Sequence, residues 1–350
     1  MGRVKLAVFV TALCLAGFQT GEALAQSTPL KLPKQIILAT DREGGTGHTM
    51  GAGFASVLGK HSGTNAVVLP IGDPGKWVGM MKNSEVDFGM TSSTNLSAVY
   101  WGTQAFEGKG NKDFSLVALG APSTWGFMIP EDAPVNTPAE LKQWVRGKRL
   151  SHNWINPAIN HLNLAGLANL GFPNGLEEAG LIAVPVSSYQ VFVNLWVEGK
   201  VDIIGTTHAP IVQQMYAARP SKFIAMNEDS ASVERMQKVE PAFYISPHPR
   251  DTTAAKKGTP FLTFDYALVV RNDIEKGLVE HVLETIRKNQ PDWVAVHPLV
   301  NGWFPAKDVW PSANAPFPFH PEAVAYYKKQ GWWNDKVEAK QAALLARAKK

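Results

Sequence analysis

Residues 35–60, QIILATDREGGTGHTMGAGFASVLGK, contain the first strand, loop and helix that the sequence predicts. Gln35 to Ala39 is a short apolar run rich in β-branched residues, and it predicts a strand. Thr40 to Gly47 contains three glycines and predicts a loop, and His48 to Lys60 predicts a helix. A strand, a glycine-rich loop and a helix in this order are typical of the first unit of an α/β fold.

A second unit of the same kind begins near residue 137. Thr137 to Glu140 has the cap residue, first-turn proline and early acid of a helix start. Val86 to Ser92 resembles Val201 to Thr207, and each stretch follows a short predicted helix. The likeness favours two lobes of similar design, although unrelated α/β segments can also agree by coincidence. Predicted strands alternate with predicted helices in both units, and this alternation predicts βαβ units and a mainly parallel sheet.

The expected elements cover most of the chain. Strands are expected at residues 35–39, 65–71, 86–90, 115–120, 126–129, 148–151, 181–186, 201–205 and 262–270. Helices are expected at 48–60, 76–82, 157–170, 189–197, 210–217 and 274–289, with a last one at 321–330. Residues 303–321 are dense in proline and aromatics and predict an extended wrapping segment. We expect lobe 1 over 26–122, lobe 2 over 123–262, and a return to lobe 1 over 263–350.

The first 25 residues predict a secretory signal peptide. Arg3 and Lys5 precede the apolar run from Leu6 to Phe18, and Ala23-Leu24-Ala25 offers a cleavage site. The alternative is a membrane anchor, but the run has about 13 residues where a spanning helix needs roughly 20. We therefore expect a periplasmic protein without stable membrane insertion. The single cysteine, Cys14, lies in this segment, so the mature chain is expected to lack thiol chemistry and disulfides.

Composition and charge exclude several classes of protein. With 350 residues and 45% hydrophobic side chains, the chain is neither disordered nor a disulfide-stapled miniprotein. It has 34 basic and 30 acidic residues, a net charge of +4. This small and scattered excess gives no reason to expect nucleic acid or membrane lipid as a partner.

Polar segments follow several of the predicted strands. In open α/β sheets, ligands bind beyond the carboxyl ends of the strands, where helix N-termini favour anionic groups. Serine, threonine and asparagine at these positions could instead cap the helices that follow. Helix capping is therefore the alternative role of each such residue. The candidate ligand-binding residues are Gly45, Thr46, His48, Ser92, Ser93, Trp125, Asn153, Trp154, Asn156, Thr206, Thr207 and His208.

Motifs for cofactors and catalysis do not occur in the sequence. Gly47 is followed by His48-Thr49-Met50 and then Gly51, which does not fit the G-x-G-x-x-G dinucleotide motif. Neither G-x-S-x-G nor H-E-x-x-H is found, and the nine histidines lack metal-ligand spacing. We therefore expect no cofactor, no metal and no enzymatic activity.

The order of several short motifs resembles the TAXI family of solute receptors of TRAP transporters. Leu38-Ala39-Thr40 followed by Gly44-Gly45-Thr46 is similar to the family's first strand and loop, and Val86 to Ser93 resembles its acid, strand and hydroxyl element. Thr137 to Leu150 resembles the first helix and strand of its second lobe. Pro318 to Pro321, followed by Tyr326-Tyr327, resembles its proline-histidine-proline turn.

The resemblance implies a bilobed α/β periplasmic binding fold, type II-like, with two βαβ lobes joined by a hinge. It also implies a monomer that captures a small organic anion, a carboxylate, and delivers it to a TRAP-type membrane permease. The chain departs from the family at Gly47-His48, where a tyrosine pair is typical, and at Asn156 to Ile159. These departures predict a pocket opened by Gly47 and bordered by Trp154, for a ligand bulkier than glutamate.

Two other functions fit the same fold. A periplasmic enzyme could use histidine and carboxylate groups in the cleft, although the missing catalytic motifs argue against it. The input domain of a membrane sensor would also bind a ligand and close around it. The sequence alone does not separate sensing from transport.

Overall fold

The computed structural model describes residues 32–43, 45–154, 157–207, 210–303 and 314–349. The predicted signal peptide and the candidates Asn156 and His208 lie outside the described residues, as does Gly44. Most of the segment expected to wrap in extended form, 304–313, is outside them as well.

Ten strands and thirteen α-helices alternate over the described part of the chain. The strands are β1 Gln35–Thr40, β2 Asn65–Leu69, β3 Phe88–Ser92, β4 Phe114–Pro130, β5 Arg149–Trp154, β6 Ile182–Val186, β7 Ile204–Thr207, β8 Ser221–Ile224, β9 Tyr244–Pro247 and β10 Pro260–Arg271. The first helices are α1 Thr46–His61, α2 Pro74–Lys82, α3 Ser93–Trp101, α4 Pro138–Trp144, α5 Pro157–Leu170, α6 Leu176–Ala179 and α7 Tyr189–Val197. The others are α8 Pro210–Ala218, α9 Ser230–Val239, α10 Leu278–Lys288, α11 Gln290–Val294, α12 Pro321–Lys329 and α13 Asp335–Ala348.

The strands form one mixed sheet and one small parallel pair. The main sheet has the order β2-β1-β3-β10-β4-β7, with β8 on β4 and β9 on β10. β1 pairs in parallel with β2 and β3, whereas β10 is antiparallel to β3, β4 and β9. The expectation of a mainly parallel sheet is therefore wrong, because two long antiparallel strands lie at its centre.

β4 runs without interruption through Pro122, where two separate strands were expected. Its pairing with β10 shifts between Phe264 and Tyr266, so Ala121 and Pro122 together oppose the single residue Asp265. Ala121 has a positive φ of 55°. Proline has no N–H for a sheet, and this β-bulge accommodates it and bends the strand.

Three clusters of buried apolar side chains lie along the chain. The first core draws its members from Ile36–Ala121 and Ala267–Leu344. The second core lies between Trp125 and Phe264, and a smaller third core contains Trp154, Phe192 and Trp196. β4 and β10 each pass from the first core to the second, and the bulge lies where they do so.

The C-terminal quarter differs most from the expected elements. α10 begins at Leu278 rather than residue 274, because Gly277 precedes it with a φ of 88°. Gln290-Pro291, expected as a stop, begins the short helix α11, since proline is tolerated in a first turn. α12 is followed by α13, a separate helix, whereas for this part of the chain we expected only that the lysine-rich residues 340–350 end a helix. Strands β8 and β9 and helix α9 were also missed.

Candidate ligand-binding site

The carboxyl ends of β1 and β3 form one side of the candidate site. The strands pair in parallel, with Thr40 opposite Met90, and α1 and α3 begin just beyond them. Thr40 and Thr91 are buried at these strand ends. Because parallel strands end at the same edge, the loop before α1 and the start of α3 lie close together. We call this edge the first-core side.

Asp41 is the acidic group on the first-core side. Its Oδ2 accepts a hydrogen bond from the Gly47 N–H at 3.1 Å, and its Oδ1 accepts one from the Thr91 hydroxyl. Burial raises the pKa of Asp41, while these two hydrogen bonds and the nearby His48 act to lower it. The N-terminus of α1 carries partial positive charge, and the Asp41 carboxylate already lies beside it.

Gly47 provides the space that the Asp41 carboxylate occupies. A Cβ atom at Gly47 would lie 2.3 Å from Asp41 Oδ2 and 3.1 Å from the Met90 carbonyl oxygen. The expectation that Gly47 opens the pocket for a bulkier ligand is therefore wrong. The missing side chain makes room for the chain's own carboxylate.

The loop residues expected to bind ligand are placed on the same side. Gly45 is the N-cap of α1, with an extended backbone. His48 Nδ1 lies 3.2 Å from the Thr40 hydroxyl oxygen. The Thr46 side chain interacts with the Tyr266 phenol and acts to lower the pKa of that phenol.

Tyr266 lies between the two sides of the site. It is a residue of β10, and its ring packs against both the first and the second core. Burial raises the pKa of Tyr266, and the neighbouring Asp41 and Tyr189 raise it further. Because it interacts with Thr46, Asp41 and Tyr189, Tyr266 joins segments that are far apart in the sequence.

Ser92 and Ser93 begin α3 on the first-core side. Ser92 is the N-cap, and its hydroxyl accepts a hydrogen bond from the Asn95 N–H at 3.3 Å. Both serines are buried, and the first turn of α3 has no acidic residue. Ser92 thus caps the helix, which is the structural role that its residue type also allowed.

The ends of β5, β6 and β7 form the second-core side. β5 pairs in parallel with β6, and a parallel bridge joins Leu150 of β5 to Ile203 just before β7. The Thr206 hydroxyl donates to the Thr207 carbonyl oxygen at 3.2 Å. Thr206 is nearly buried and Thr207 is half-buried. Like the ends of β1 and β3 on the first-core side, these are the carboxyl ends of parallel strands.

Trp125 lies inside the second core and is 1% exposed. A Cβ atom at Gly166 would come within 2.6 Å of its ring, and one at Gly205 within 2.3 Å. The indole is therefore held between two glycines, on α5 and β7. The structure thus places Trp125 in the core rather than at an open surface.

Asn153 and Trp154 end β5 in an irregular conformation. Asn153 is exposed and has a positive φ of 55°, at a register shift in the β5–β6 pair. The Asn160 side chain accepts from the Trp154 N–H at 2.9 Å and donates to its carbonyl oxygen at 3.1 Å. Trp154 is 7% exposed and packs in the third core against Phe192 and Tyr189. A non-glycine residue with positive φ at a strand end is a feature often found at functional sites.

Three residues that lie near the candidate contacts were not among the predicted ones. Asp41 lies in the predicted loop from Thr40 to Gly47, and its acid was visible in the sequence. Tyr189, at the start of α7, is 61% exposed, which is unusual for a large aromatic side chain. Tyr266 is an interior strand residue, and no sequence signal distinguishes it from a core tyrosine.

Within the described residues, none of the helices has the length and apolar character needed to span a membrane. In the same residues, no cluster of three His, Cys, Asp or Glu side chains could hold a metal ion.

Comparison with solved structures gives the fold. The chain is similar to a ligand-free TctC solute-binding protein from Polaromonas, with 15% identity, a TM-score of 0.50, and coverage of 77% of this chain and 90% of that one. It is also similar to MatC from Rhodopseudomonas palustris with bound malate, with 13% identity, a TM-score of 0.53, and coverage of 89% and 100%. The expected α/β fold of periplasmic solute-binding proteins is thus confirmed.

Sequence comparison gives the family. A search of curated proteins found no match. The model of the NMT1-like family matches residues 38–331, which is most of the chain and includes both sides of the site. The chain belongs to the NMT1-like family.

Proposed function

We propose that this protein is an extracytoplasmic solute receptor of the TAXI type. It binds a small organic anion, a carboxylate, between two lobes and delivers it unchanged to a TRAP-type permease. The observation that carries the proposal is the position of Tyr266, which packs against both the first and the second core, with Thr46, Asp41 and Tyr189 as electrostatic neighbours. A ligand held at this point would contact both lobes, which is what closure of a bilobed receptor requires.

The distribution of the cores supports two interleaved lobes. Lobe 1 comprises residues 26–122 and 263–350, and lobe 2 comprises 123–262. The first core draws on the former ranges, and the second and third cores on residues within or next to the latter. The bulge at Ala121-Pro122 opposite Asp265 is the proposed hinge, because both crossing strands are irregular there.

The proposed ligand contacts come from loops of both lobes. They are hydrogen-bonding groups at strand ends and helix starts, and no residue acts as an acid or base on the ligand. Trp125 and Trp154 are buried and pack in the second and third cores, so they are not among the proposed contacts. The proposed contacts are Gly45, Thr46, His48, Ser92 and Ser93 from lobe 1, and Asn153, Asn156, Thr206, Thr207 and His208 from lobe 2.

The carboxylate and the location rest on different arguments. MatC, a structure with the same fold, has malate bound, which supports a carboxylate as the ligand class. The signal peptide proposed for residues 1–25 would deliver the protein to the periplasm. We propose that the mature protein is a monomer there.

Native mass spectrometry of freshly purified protein tests the function. We expect part of the protein to carry an added mass of a few hundred daltons or less, because receptors that close around a ligand release it slowly. The released molecule should be chemically unchanged after long incubation with fresh protein. Protein that carries no ligand and is not stabilised by malate or other carboxylates would contradict the proposal, and conversion of the molecule would indicate an enzyme.

A further inference from the structure

Tyr189 is the one exposed aromatic side chain among the residues that the structure describes. Its relative exposure is 61%, whereas the other tyrosine, tryptophan and phenylalanine side chains in this part of the chain are buried or half-buried. A single apolar group on an open surface is common and needs no explanation. The position of Tyr189 therefore decides what its exposure means.

Tyr189 lies at the carboxyl edge of the small parallel sheet. It begins α7, which follows the end of β6 after two serines. Because β5 and β6 run in parallel, the start of α7 and the end of β5 lie at the same edge. The centroid of the Tyr189 ring is 5.5 Å from that of Trp154, the last residue of β5. Tyr189 thus belongs to the second-core side of the site.

The buried Trp154 supports Tyr189 without covering it. The two rings meet edge to face, with 61° between their planes, and Trp154 also packs against Phe192 at 4.8 Å. Trp154 is held in the third core, so it gives the Tyr189 ring a fixed contact. The remaining part of the Tyr189 ring is open to a further partner.

Tyr266 brings a second ring near Tyr189. It lies on β10, packs against both the first and the second core, and is half-buried. Tyr189 is one of its electrostatic neighbours and acts to raise its pKa. The open ring of Tyr189 is therefore near the strand that passes from one core to the other. A flat ligand ring bound there would have aromatic side chains of both β10 and α7 as neighbours.

We propose that Tyr189 is a specificity-determining residue that selects a carboxylate carrying a flat, aromatic ring over one with a saturated ring. The ligand ring would pack on the open part of Tyr189, in the offset or edge-to-face arrangement that aromatic pairs prefer. The hydrogen-bonding groups of the strand-end loops would hold its carboxylate. The inference rests on the receptor function proposed above and narrows its ligand class.

The test compares two ligands of similar size on the wild type and three variants. Benzoate and cyclohexanecarboxylate are the probes, since each carries a carboxylate on a six-membered ring and only benzoate is aromatic. Tyr189→Leu removes the aromatic ring and keeps an apolar side chain, whereas Tyr189→Phe keeps the ring and removes the hydroxyl. Val197→Ala is the control, because Val197 is 43% exposed at the other end of α7. A disturbed fold would weaken the binding of both probes alike, so the ratio of their affinities reports on the ring.

Calorimetry on protein dialysed free of retained solute measures that ratio. We expect the wild type to bind benzoate about fivefold more tightly than cyclohexanecarboxylate, which is the size of effect that an aromatic pair supplies. Tyr189→Leu should bind the two probes equally, whereas Tyr189→Phe and Val197→Ala should keep the preference. We also expect the solute retained by freshly purified wild type to absorb in the near ultraviolet, as aromatic acids do.

Several results would overturn the role of Tyr189 and leave the receptor function intact. They are a wild type that does not prefer benzoate, a preference that survives in Tyr189→Leu or is lost in Tyr189→Phe, and a retained solute without an aromatic ring. Binding of malate but of neither probe belongs with them. A wild type that retains no solute and binds neither the probes nor malate would instead contradict the receptor function itself.

Discussion

The two sides of the site are built from the same elements but serve different purposes. On the first-core side, parallel strands end in polar groups that are hydrogen-bonded to one another, with Asp41 at their centre. On the second-core side, the strand ends lie over large aromatic rings, Trp125 and Trp154, that are almost fully buried. The two sides therefore differ in what lies at their strand ends, a hydrogen-bonded polar group on the first side and buried aromatic rings on the second.

The largest effect should follow from a change on the second-core side, Gly205→Ala. The added methyl group would lie 2.0 Å from Asn163 Oδ1 and 2.3 Å from the Trp125 ring. Both neighbours are buried, so the clash cannot be relieved by moving a side chain into solvent. We expect the free energy of unfolding to fall by about 3 kcal/mol, measured by urea denaturation.

The matched control for that change is Gly79→Ala in α2. A Cβ atom at Gly79 has no neighbour within 4 Å. We expect this variant to be as stable as the wild type or more stable, by up to about 1 kcal/mol, because alanine favours helix. If Gly205→Ala unfolded at the same urea concentration as the control, Trp125 would not be tightly held.

Glu240 offers a second buried carboxyl group with which to compare Asp41. It follows α9 and is 1% exposed, and it accepts from the Ala242 N–H at 3.0 Å and the Gln104 amide at 2.8 Å. Gln104, like Ala121, has a positive φ. Burial raises the pKa of Glu240 to about 7, from an ordinary value of 4.5.

The raised pKa of Glu240 predicts a pH-dependent stability. The folded protein retains this proton up to about pH 7, whereas the unfolded chain releases it near pH 4.5. The stability from this group is therefore complete below pH 4.5 and is lost as the pH rises through 7. Glu240→Gln has no group that titrates at this position, so we expect it to be more stable than the wild type at pH 8. The difference in the free energy of unfolding, variant minus wild type, should rise by at most about 3 kcal/mol between pH 5 and pH 8.

Urea denaturation of both proteins at pH 5, 6, 7 and 8 measures that difference. Glu198→Gln is the control, because Glu198 is half exposed and its ion pair with Lys200 is on the surface. Its effect should stay below about 0.5 kcal/mol at every pH. A constant difference between wild type and Glu240→Gln across the range would mean that Glu240 keeps its charge in the folded protein.

Much of the fold could be predicted from local sequence signals. The bounds of α5, Pro157–Leu170, and of α7, Tyr189–Val197, agree with the expected ones, because each has a clear start and a clear end. We predicted two strands on either side of Pro122, because proline ordinarily ends a strand. The β-bulge that keeps β4 continuous depends on the partner strand rather than on the local sequence.

The candidate site could be outlined where its residues follow strands and not where they depend on pairing. Thr46, His48 and Ser92 were proposed as ligand contacts from their positions after predicted strands, and this stays a prediction. Asp41 was missed because its role depends on Thr91, which is 50 residues away and becomes its neighbour only when β1 pairs with β3. The charge beside α1 therefore could not be derived from helix signals alone.

On the first-core side, Gly47→Ala should have a smaller effect than Gly205→Ala. Its methyl group would displace the side chain of Asp41, a half-buried loop residue, whereas the residues that Gly205→Ala would displace are fully buried. We expect a loss of about 2 kcal/mol in the free energy of unfolding. The double variant Asp41→Ala, Gly47→Ala should lose less than the sum of the single variants, because the closest clash, with the Asp41 carboxylate, needs both groups and only the 3.1 Å contact with the Met90 carbonyl oxygen remains. Strict additivity in urea denaturation would show that Asp41 does not occupy the space at Gly47.

The smallest effect on stability is expected for His48→Ala, which separates ligand recognition from folding. His48 is half-buried, and its Nδ1 has the buried Thr40 hydroxyl 3.2 Å away. Losing this hydrogen bond should cost about 1 kcal/mol or less of stability. If His48 also contacts the ligand, the fraction of protein that retains solute in native mass spectrometry should fall by about tenfold, since about 1.4 kcal/mol of lost binding energy corresponds to that factor.

His61→Ala, at the other end of α1, removes only an exposed contact with Asp292 and should retain solute like the wild type. Equal retention by the two variants would exclude His48 from the site and leave Thr46, Asp41 and the α3 serines as the polar groups of the first-core side.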